Sequence, residues 1–396
     1  MADTQTGAPS TLNREEQEQQ PTTHLQNTAF ISSPYKGEEK QQAWWQGFVS
    51  PVGALFMAVV LMASLVSFGI GATLVSNANN TSTASTNANN ASNTTTGIAA
   101  APTNVPNATQ EYGDQLAHYV VDPDGAKHFT FTAEQVMWEV VKGQRVLAWT
   151  INGTVPGPMI RVTAGDHVRV TLINHFPKAT AIHWHGLEVP TNQDGVPGLG
   201  MTPVQPGQTY TYDFTVHDQD VGTHWYHSHY DDLEQMAGGM YGAFIVDPRP
   251  GTSQWQQEQA LHIEAEYTEF IATMPGGWYV INGKSFPDTQ PILVKHGQTI
   301  RLRFIGADTM MMHPMHIHGH VYTVIAEDGH MLQPSARYQK DTLQVAPGET
   351  YDATFYAWAA PGSVYPLHCH ILSHLMNPNQ SGDEMGGLIT LIEYAK

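Results

Sequence analysis

The chain has a single cysteine in 396 residues. Cys369 therefore has no partner for an intrachain disulfide, and a Cys-rich zinc or iron–sulfur site is excluded. Basic residues are scarce as well: 17 Lys and Arg stand against 36 Asp and Glu, a net charge of −19. Phosphate binding needs Lys and Arg, so nucleic acid is excluded as a partner. Charged residues make up only 13% of the chain and apolar residues 41%, which leaves ample material for a buried core. What the sequence does have is histidine, 21 in all, more than Lys and Arg together. The obvious physical use of so many imidazoles is to bind metal.

Residues 1–47 are polar, with little apolar periodicity, and are expected to form a disordered cytoplasmic tail. Phe48–Val75 contains no charged residue. At 1.5 Å per residue it exceeds the roughly 30 Å hydrocarbon core, which favours a retained transmembrane anchor. The competing reading is a cleaved signal peptide, whose apolar run is shorter and starts nearer the N-terminus. Lys36 and Lys40 precede the span, and no Lys or Arg follows it until Lys127. The positive-inside tendency then puts the N-terminus in the cytoplasm and the rest of the chain on the extracytoplasmic side of the cell membrane, as a single-pass protein. Residues 76–110 are rich in Asn, Thr and Ser and read as a linker. Asn80, Asn90, Asn93 and Asn107 begin glycosylation sequons.

From Glu111 onward, short alternating runs such as VRVTLI (Val168–Ile173) and TIRLRFI (Thr299–Ile305) predict half-buried strands. Asn-Gly, Pro-Gly and Gly-Asp pairs mark the turns, and no long amphipathic helix interrupts them. The region also repeats. The segment beginning INGTVPGP at Ile151 resembles the one beginning INGKSFPD at Ile281, and PGQTYTYDF at Pro206 resembles PGETYDATF at Pro347. The expected fold class is all-β, with two tandem β-sandwich domains at 111–249 and 250–396.

Four histidine clusters fall on this repeat: HWHG (His183, His185), HWYHSH (His227, His229), HPMHIHGH (His313, His316, His318) and HCHILSH (His368, Cys369, His370, His374). His183 and His316 are 133 residues apart, as are His185 and His318. His227 and His368 are 141 apart, as are His229 and His370. Each domain thus offers two H-x-H pairs at equivalent places. Eight converging imidazoles suit several copper ions and exceed the needs of one zinc. In an extended segment residues i and i+2 share a face. Cys369 then points away from His368 and His370, so it can ligate one metal while its neighbours ligate others. The backbone between them is a short covalent route for electrons. His224 and His320, beside the clusters, are candidates for a supporting role.

These motifs resemble the HxHG, HxH, HPxHxHG and HCHxxxH signature of the multicopper oxidases, over about residues 111–396. The resemblance implies cupredoxin-like domains and four copper ions per chain. Type 1 copper would be held by His313, Cys369 and His374. Type 2 would be held by His183 and His316, and the type 3 pair by His185, His227, His229, His318, His368 and His370. The family's usual axial position, five residues after the last histidine, is Asn379. The EMGG stretch suggests that Met385 supplies the axial thioether instead, across from Met240 in the first domain. Ser228, Thr180 and Leu233 stand where Cys369, His313 and His374 stand, so the first domain is expected to lack blue copper. Among two-domain relatives, this resembles the small-laccase arrangement, with blue copper in the second domain only. Asp194 matches the family's acidic residue near the trinuclear cluster and is a candidate proton donor, with a plain Asp-Gly turn as the alternative. Leu375 replaces the glutamate often found after the last type 1 histidine.

The resemblance implies a laccase-like oxidase that passes single electrons from a donor through Cys369 to dioxygen. A metallo-oxidase for Cu(I), Fe(II) or Mn(II) is the alternative. Met310, Met311, Met312 and Met315 around His313 suit cuprous ions, or else adaptable core packing. A copper nitrite reductase fits less well, because that enzyme carries blue copper in its first domain. Copper storage needs no thiolate between two imidazoles. Lastly, the short junction near Pro248 restricts how the two ligand edges of one chain can meet, so domain 1 of one chain is expected to face domain 2 of the next, in a ring or a filament. Resemblance to two-domain relatives implies closure at three, a homotrimer with clusters at its interfaces.

Overall fold

The computed structural model describes residues 104–378, 380 and 384–396. The tail, the anticipated span Phe48–Val75 and the linker up to residue 103 lie outside the described residues. Among those described, no helix is long and apolar enough to cross a membrane.

Two β-sandwiches follow one another. In the first, a five-stranded sheet contains Tyr119–Val121, Lys127–Val141, Gln144–Ile151, His167–Asn174 and Thr209–Thr215. It faces a four-stranded sheet of Ile160–Thr163, Tyr241–Asp247, Gly222–Ser228 and Ile182–His185. The second sandwich pairs a seven-stranded sheet, built around Ala265–Met274, Thr299–Gly306, Thr350–Tyr356 and Tyr322–Glu327, with a five-stranded one. The latter runs Ile292–Val294, Ile389–Tyr394, Val364–Cys369, His313–Ile317, Thr342–Val345. Each sheet holds one parallel pair, at matching places in the two sandwiches. This is an all-β, cupredoxin-like architecture. Helices are reduced to short pieces, Asp232–Gln235 and Ser253–Gln259, the latter capped by the Thr252 hydroxyl accepting from the Trp255 N–H at 3.2 Å.

The sequence signals translate directly in several places. His167–Asn174 alternates half-buried and buried residues without a break. The Asn-Gly pairs of INGT and INGK both turn with positive φ at both residues, Asn152 (55°), Gly153 (75°), Asn282 (51°) and Gly283 (73°), as the tightest hairpin turn requires. Phe129, Val170 and Tyr212 from one sheet meet Trp184, Tyr226 and Phe244 from the other to form the first core. Leu302, Tyr322 and Ala353 meet Met315, Leu367 and Cys369 in the second.

TIRLRFI departs from its half-buried expectation. Its strand is buried on both faces, including Arg301 (2% exposed) and Arg303 (4%). The cause is the neighbouring sandwich. A third apolar cluster, with Trp138, Trp225 and Tyr241 from the first sandwich and Phe270, Met274 and Ile305 from the second, closes the face that a lone sandwich would leave in water. The two guanidinium groups are then paired: Arg301 with Glu258, and Arg303 with Asp352 and Glu266. A buried cation persists only when it is so compensated.

Candidate metal centre

The repeat places its functional pairs at identical register. His183 lies opposite His227 and Ile182 opposite Ser228. In the second sandwich His316 lies opposite His368 and Met315 opposite Cys369. Alternation along each strand then puts the histidines on the sheet's outer face and Ser228 or Cys369 inside.

His313, Cys369 and His374 come together in the interior of the second sandwich. The Cys369 sulfur lies 3.8 Å from His313 Nδ1 and 3.5 Å from His374 Nδ1, and the two Nδ1 atoms are 3.1 Å apart. Burial pushes the Cys369 thiol up to about 11, against the Ile371 N–H that favours the thiolate. Burial likewise lowers His374 to about 4, with His313 adding to the effect. A metal taking this site therefore meets a neutral His374 and displaces the thiol proton. One sulfur and two imidazole nitrogens, buried and close, suit copper in an electron-transfer role. Tyr279 stacks on His374 with ring centroids 4.1 Å apart.

Asp308 touches the same group and gave no sequence signal, because it belongs to no motif. It is buried and accepts from the Thr273 hydroxyl, from the Met310 and Met311 N–H groups and from His313. Burial works against its charge, but these four donors outweigh it and hold its carboxyl at about 2.

The first sandwich keeps the outline of this site without its ligands. Thr180 and Ser228, expected at the His313 and Cys369 positions, both donate to Gln235 Oε1, at 2.7 and 2.8 Å. Met240 is beside them, its sulfur 3.4 Å from the Thr180 hydroxyl. Leu233 is 75% exposed and takes no part.

Met240 also marks, by strand register, the place in the second sandwich where the sequence predicts a thioether. The Ser228 N–H donates to the Met240 carbonyl, and the equivalent Cys369 N–H donates to the Leu388 carbonyl, both at 3.0 Å. Strand register agrees: His227 pairs with Tyr241, and His368 with Ile389. Leu388, fully buried in the core cluster that contains Cys369, stands where Met240 stands. Met385, the thioether expected from the sequence, is 61% exposed. The backbone reason is local. Gly387 has φ 67°, and a Cβ there would lie 2.1 Å from the His374 carbonyl oxygen. This tight approach turns the chain so that the residue after Gly387 enters the core, while Met385 stays outside.

The remaining eight histidines form two quartets of the same shape. In the first, the His183 ring is 5.7, 5.3 and 5.4 Å from those of His185, His227 and His229. In the second, the His316 ring is 4.8, 5.7 and 5.6 Å from those of His318, His368 and His370. The hydrogen bonds repeat too. His183 and His316 donate Nδ1–H to the carbonyls of Asp194 and Asp341, each at 2.8 Å. His227 and His368 donate Nδ1–H to the carbonyls of Ser228 and Cys369, each at 2.7 Å. Each bond leaves Nε2 as the free lone pair for a metal. Burial lowers His185 to about 4 and His227 to about 3, with the neighbouring histidines contributing, so both are neutral and ready to ligate. Asp194 also brings a carboxylate oxygen to 3.3 Å from His183 Nδ1. His320 supports its quartet by donating to the His318 carbonyl at 2.8 Å, whereas His224 turns to the Asp220 carbonyl. Among the described residues, no hydrogen bond or ring contact joins one quartet to the other.

A double cupredoxin-like sandwich with a buried Cys–His–His trio and two mirrored histidine quartets defines a copper protein. Multicopper oxidase family models match residues 132–251 and 253–378. Among solved structures, the blue copper oxidase from Nitrosomonas europaea is 33% identical, with a TM-score of 0.61, over 67% of this chain and 85% of that one. The multicopper oxidase mgLAC is 35% identical at the same TM-score, over 67% and 86%. Laccase-15 of Oryza sativa subsp. japonica is 35% identical over 61% of this chain, and copper resistance protein A of Pseudomonas syringae pv. tomato 31% identical over 54%. The chain spans 43% of the length of each of these two relatives. The chain belongs to the multicopper oxidase family, as a two-domain, laccase-like member.

Proposed function

We propose that the protein is a laccase-like oxidase that takes single electrons from phenolic or similar donors and reduces dioxygen to water. The observation that carries this reading is the Cys369 thiol held between His313 and His374 inside the sandwich, with His368 and His370 as its immediate neighbours in the chain, turned to the histidine quartet. The trio would hold type 1 copper, and the two quartets would hold type 2 and type 3 copper, four ions per chain. Copper supplies the one-electron chemistry and the reduction of dioxygen; the chain's part is to orient ligands and exclude water. Cys369 is fully buried and His313 and His374 nearly so, which keeps the thiolate from solvent oxidants. Leu388 in place of a thioether leaves the trio as the whole strong ligand set. Asp194, beside His183, is positioned for a proton-donating role.

A second reading, oxidation of metal ions such as Cu(I), is favoured by one observation. Met310 (79% exposed) and Met312 (47%) lie just before His313 and offer soft sulfur to solvent. A similar protein named copper resistance protein A adds weight to it. Oxygen uptake measured side by side with a phenol, Fe(II), Mn(II), Cu(I) and nitrite separates the readings. Nitrite reduction without oxidase activity would defeat both.

The separate quartets support assembly of the oxygen-reducing cluster between copies, as a head-to-tail trimer. Membrane attachment through Phe48–Val75 completes the proposal. The mature N-terminus, read by mass spectrometry, tests it: a chain beginning near Asn77 would mean a released enzyme.

A further inference from the structure

Asp308 sits between the strands Thr299–Gly306 and His313–Ile317 and is 2% exposed. Its two carboxylate oxygens have divided tasks. Oδ1 accepts the N–H groups of Met310 and Met311, each at 2.8 Å. Oδ2 accepts the Thr273 hydroxyl at 2.5 Å and lies 3.0 Å from His313 Nε2. A carboxylate oxygen can only accept, so Nε2 of His313 carries the proton. Its Nδ1, the atom facing Cys369 Sγ and His374 Nδ1, is then the lone pair.

We propose that Asp308 is a positioning residue: it fixes His313 in the copper-binding tautomer and lowers the reduction potential of the centre, while its other oxygen sets the methionine segment beside the same ligand. The inference rests on reading His313, Cys369 and His374 as the type 1 ligands. A carboxylate on the remote nitrogen of a ligating imidazole makes that imidazole a stronger donor. Its negative charge, buried beside the metal, favours the cupric over the cuprous state. The same carboxylate holds the backbone of Met310, whose side chain is exposed to arriving donors. One group thus ties the surface that meets the donor to the ligand that meets the metal.

Asp308→Asn exposes this division. If the amide oxygen keeps the Met310 and Met311 N–H groups, the amide nitrogen faces His313 Nε2 and forces the proton onto Nδ1, where copper must bind. If the amide turns round, its nitrogen opposes two backbone donors. Either way one task fails.

The test is copper loading and redox titration of the full-length protein, wild type against Asp308→Asn and Thr273→Val. We expect Asp308→Asn to lose about 10- to 100-fold in type 1 copper affinity, and whatever blue copper it retains to titrate at a higher potential. Thr273→Val, which leaves the His313 bond in place, should stay blue with a nearly unchanged potential. A blue wild type whose Asp308→Asn variant keeps both affinity and potential overturns this proposal alone. A wild type that forms no blue centre removes the ligand reading and this proposal with it. If the variant fails to fold, nitrogen-15 shifts of His313 in the copper-stripped wild type decide the matter. The Nε2–H tautomer is expected, and a predominant Nδ1–H tautomer overturns the proposal.

Discussion

Nδ1 of His313 and Nδ1 of His374 lie 3.1 Å apart, each within 3.8 Å of the Cys369 sulfur. The three atoms come from a strand, a strand end and a 3-10 turn, and the side chains are sealed in the second core. Nothing else in that apolar cluster can supply a thiolate. Cys369→Ser should therefore abolish the intense visible band of the copper-loaded protein and cut oxidase turnover by several orders of magnitude. Serine fits the space of the sulfur, so the thermal midpoint of the copper-free protein should change little. Absorption and circular dichroism check both statements; a variant that stays blue would falsify the ligand assignment.

The axial position gives a second prediction. Leu388 offers no lone pair, and Met385 is exposed. A thioether at 388 would donate to the cupric state and stabilise it, which lowers the potential. Leu388→Met is expected to shift the one-electron equilibrium by roughly tenfold, about 60 mV. Met385→Leu should leave the potential where it is. Redox titration that finds Met385→Leu altered and Leu388→Met unaltered would restore Met385 to the axial role.

Glu269 yields a prediction about stability. It is 3% exposed, and burial, with Asp114 nearby, pushes its carboxyl up to about 8. Its hydrogen bond comes from the Asn282 side chain, at 3.2 Å. The unfolded chain loses this proton near the ordinary glutamate value of 4.5, the folded chain only near 8. Between those values the folded state binds more protons, so the contribution is whole below about pH 4.5 and drains away as pH rises towards 8. Glu269→Gln keeps an acceptor for Asn282 and removes the titration. The variant should match the wild type near pH 4 and exceed it at pH 8 by an amount on the order of a few kcal/mol. Urea midpoints across that range check it; identical pH slopes for the two proteins would refute it.

Legibility differed by residue for physical reasons. The strands of the two sandwiches, the Asn-Gly turns and the ten clustered histidines could be read because alternation and spacing are local properties of the chain. The empty outline at Thr180, Ser228 and Met240 was legible through the repeat. Leu388 was not, because the segment between His374 and the last strand differs in length from its counterpart, and only the pairing of Cys369 with Leu388 counts residues across it. Asp308 and Asp341 were illegible for another reason: each acts on a histidine from a loop or strand end that no motif marks. The burial of Arg301 and Arg303 depends on the neighbouring sandwich, which a single strand's pattern does not encode.

The last prediction concerns the quartets. His183 with its three neighbours belongs wholly to the first sandwich and His316 with its three wholly to the second. His318 and His370 are exposed, so the second quartet stands open on its surface. The two sandwiches are already fixed against each other by the cluster around Trp225 and Phe270, by Arg161 of the first paired with Glu266 of the second, and by the Thr223 hydroxyl donating to Asp352 at 2.5 Å. Bringing the quartets together within one chain would mean breaking that interface. A second copy can instead present its first quartet to the open one, and a head-to-tail contact of this kind either closes into a ring or grows into a filament. We expect a trimer in sedimentation of the detergent-solubilised or linker-truncated protein. Mixing inactive His183→Ala and His316→Ala chains offers a sharper check. Random ring assembly from the two should recover part of the oxygen uptake, because some interfaces then pair a whole quartet with a whole quartet. A monomer with full oxygen reduction, or mixed chains that regain nothing while still forming trimers, would defeat the shared-site arrangement.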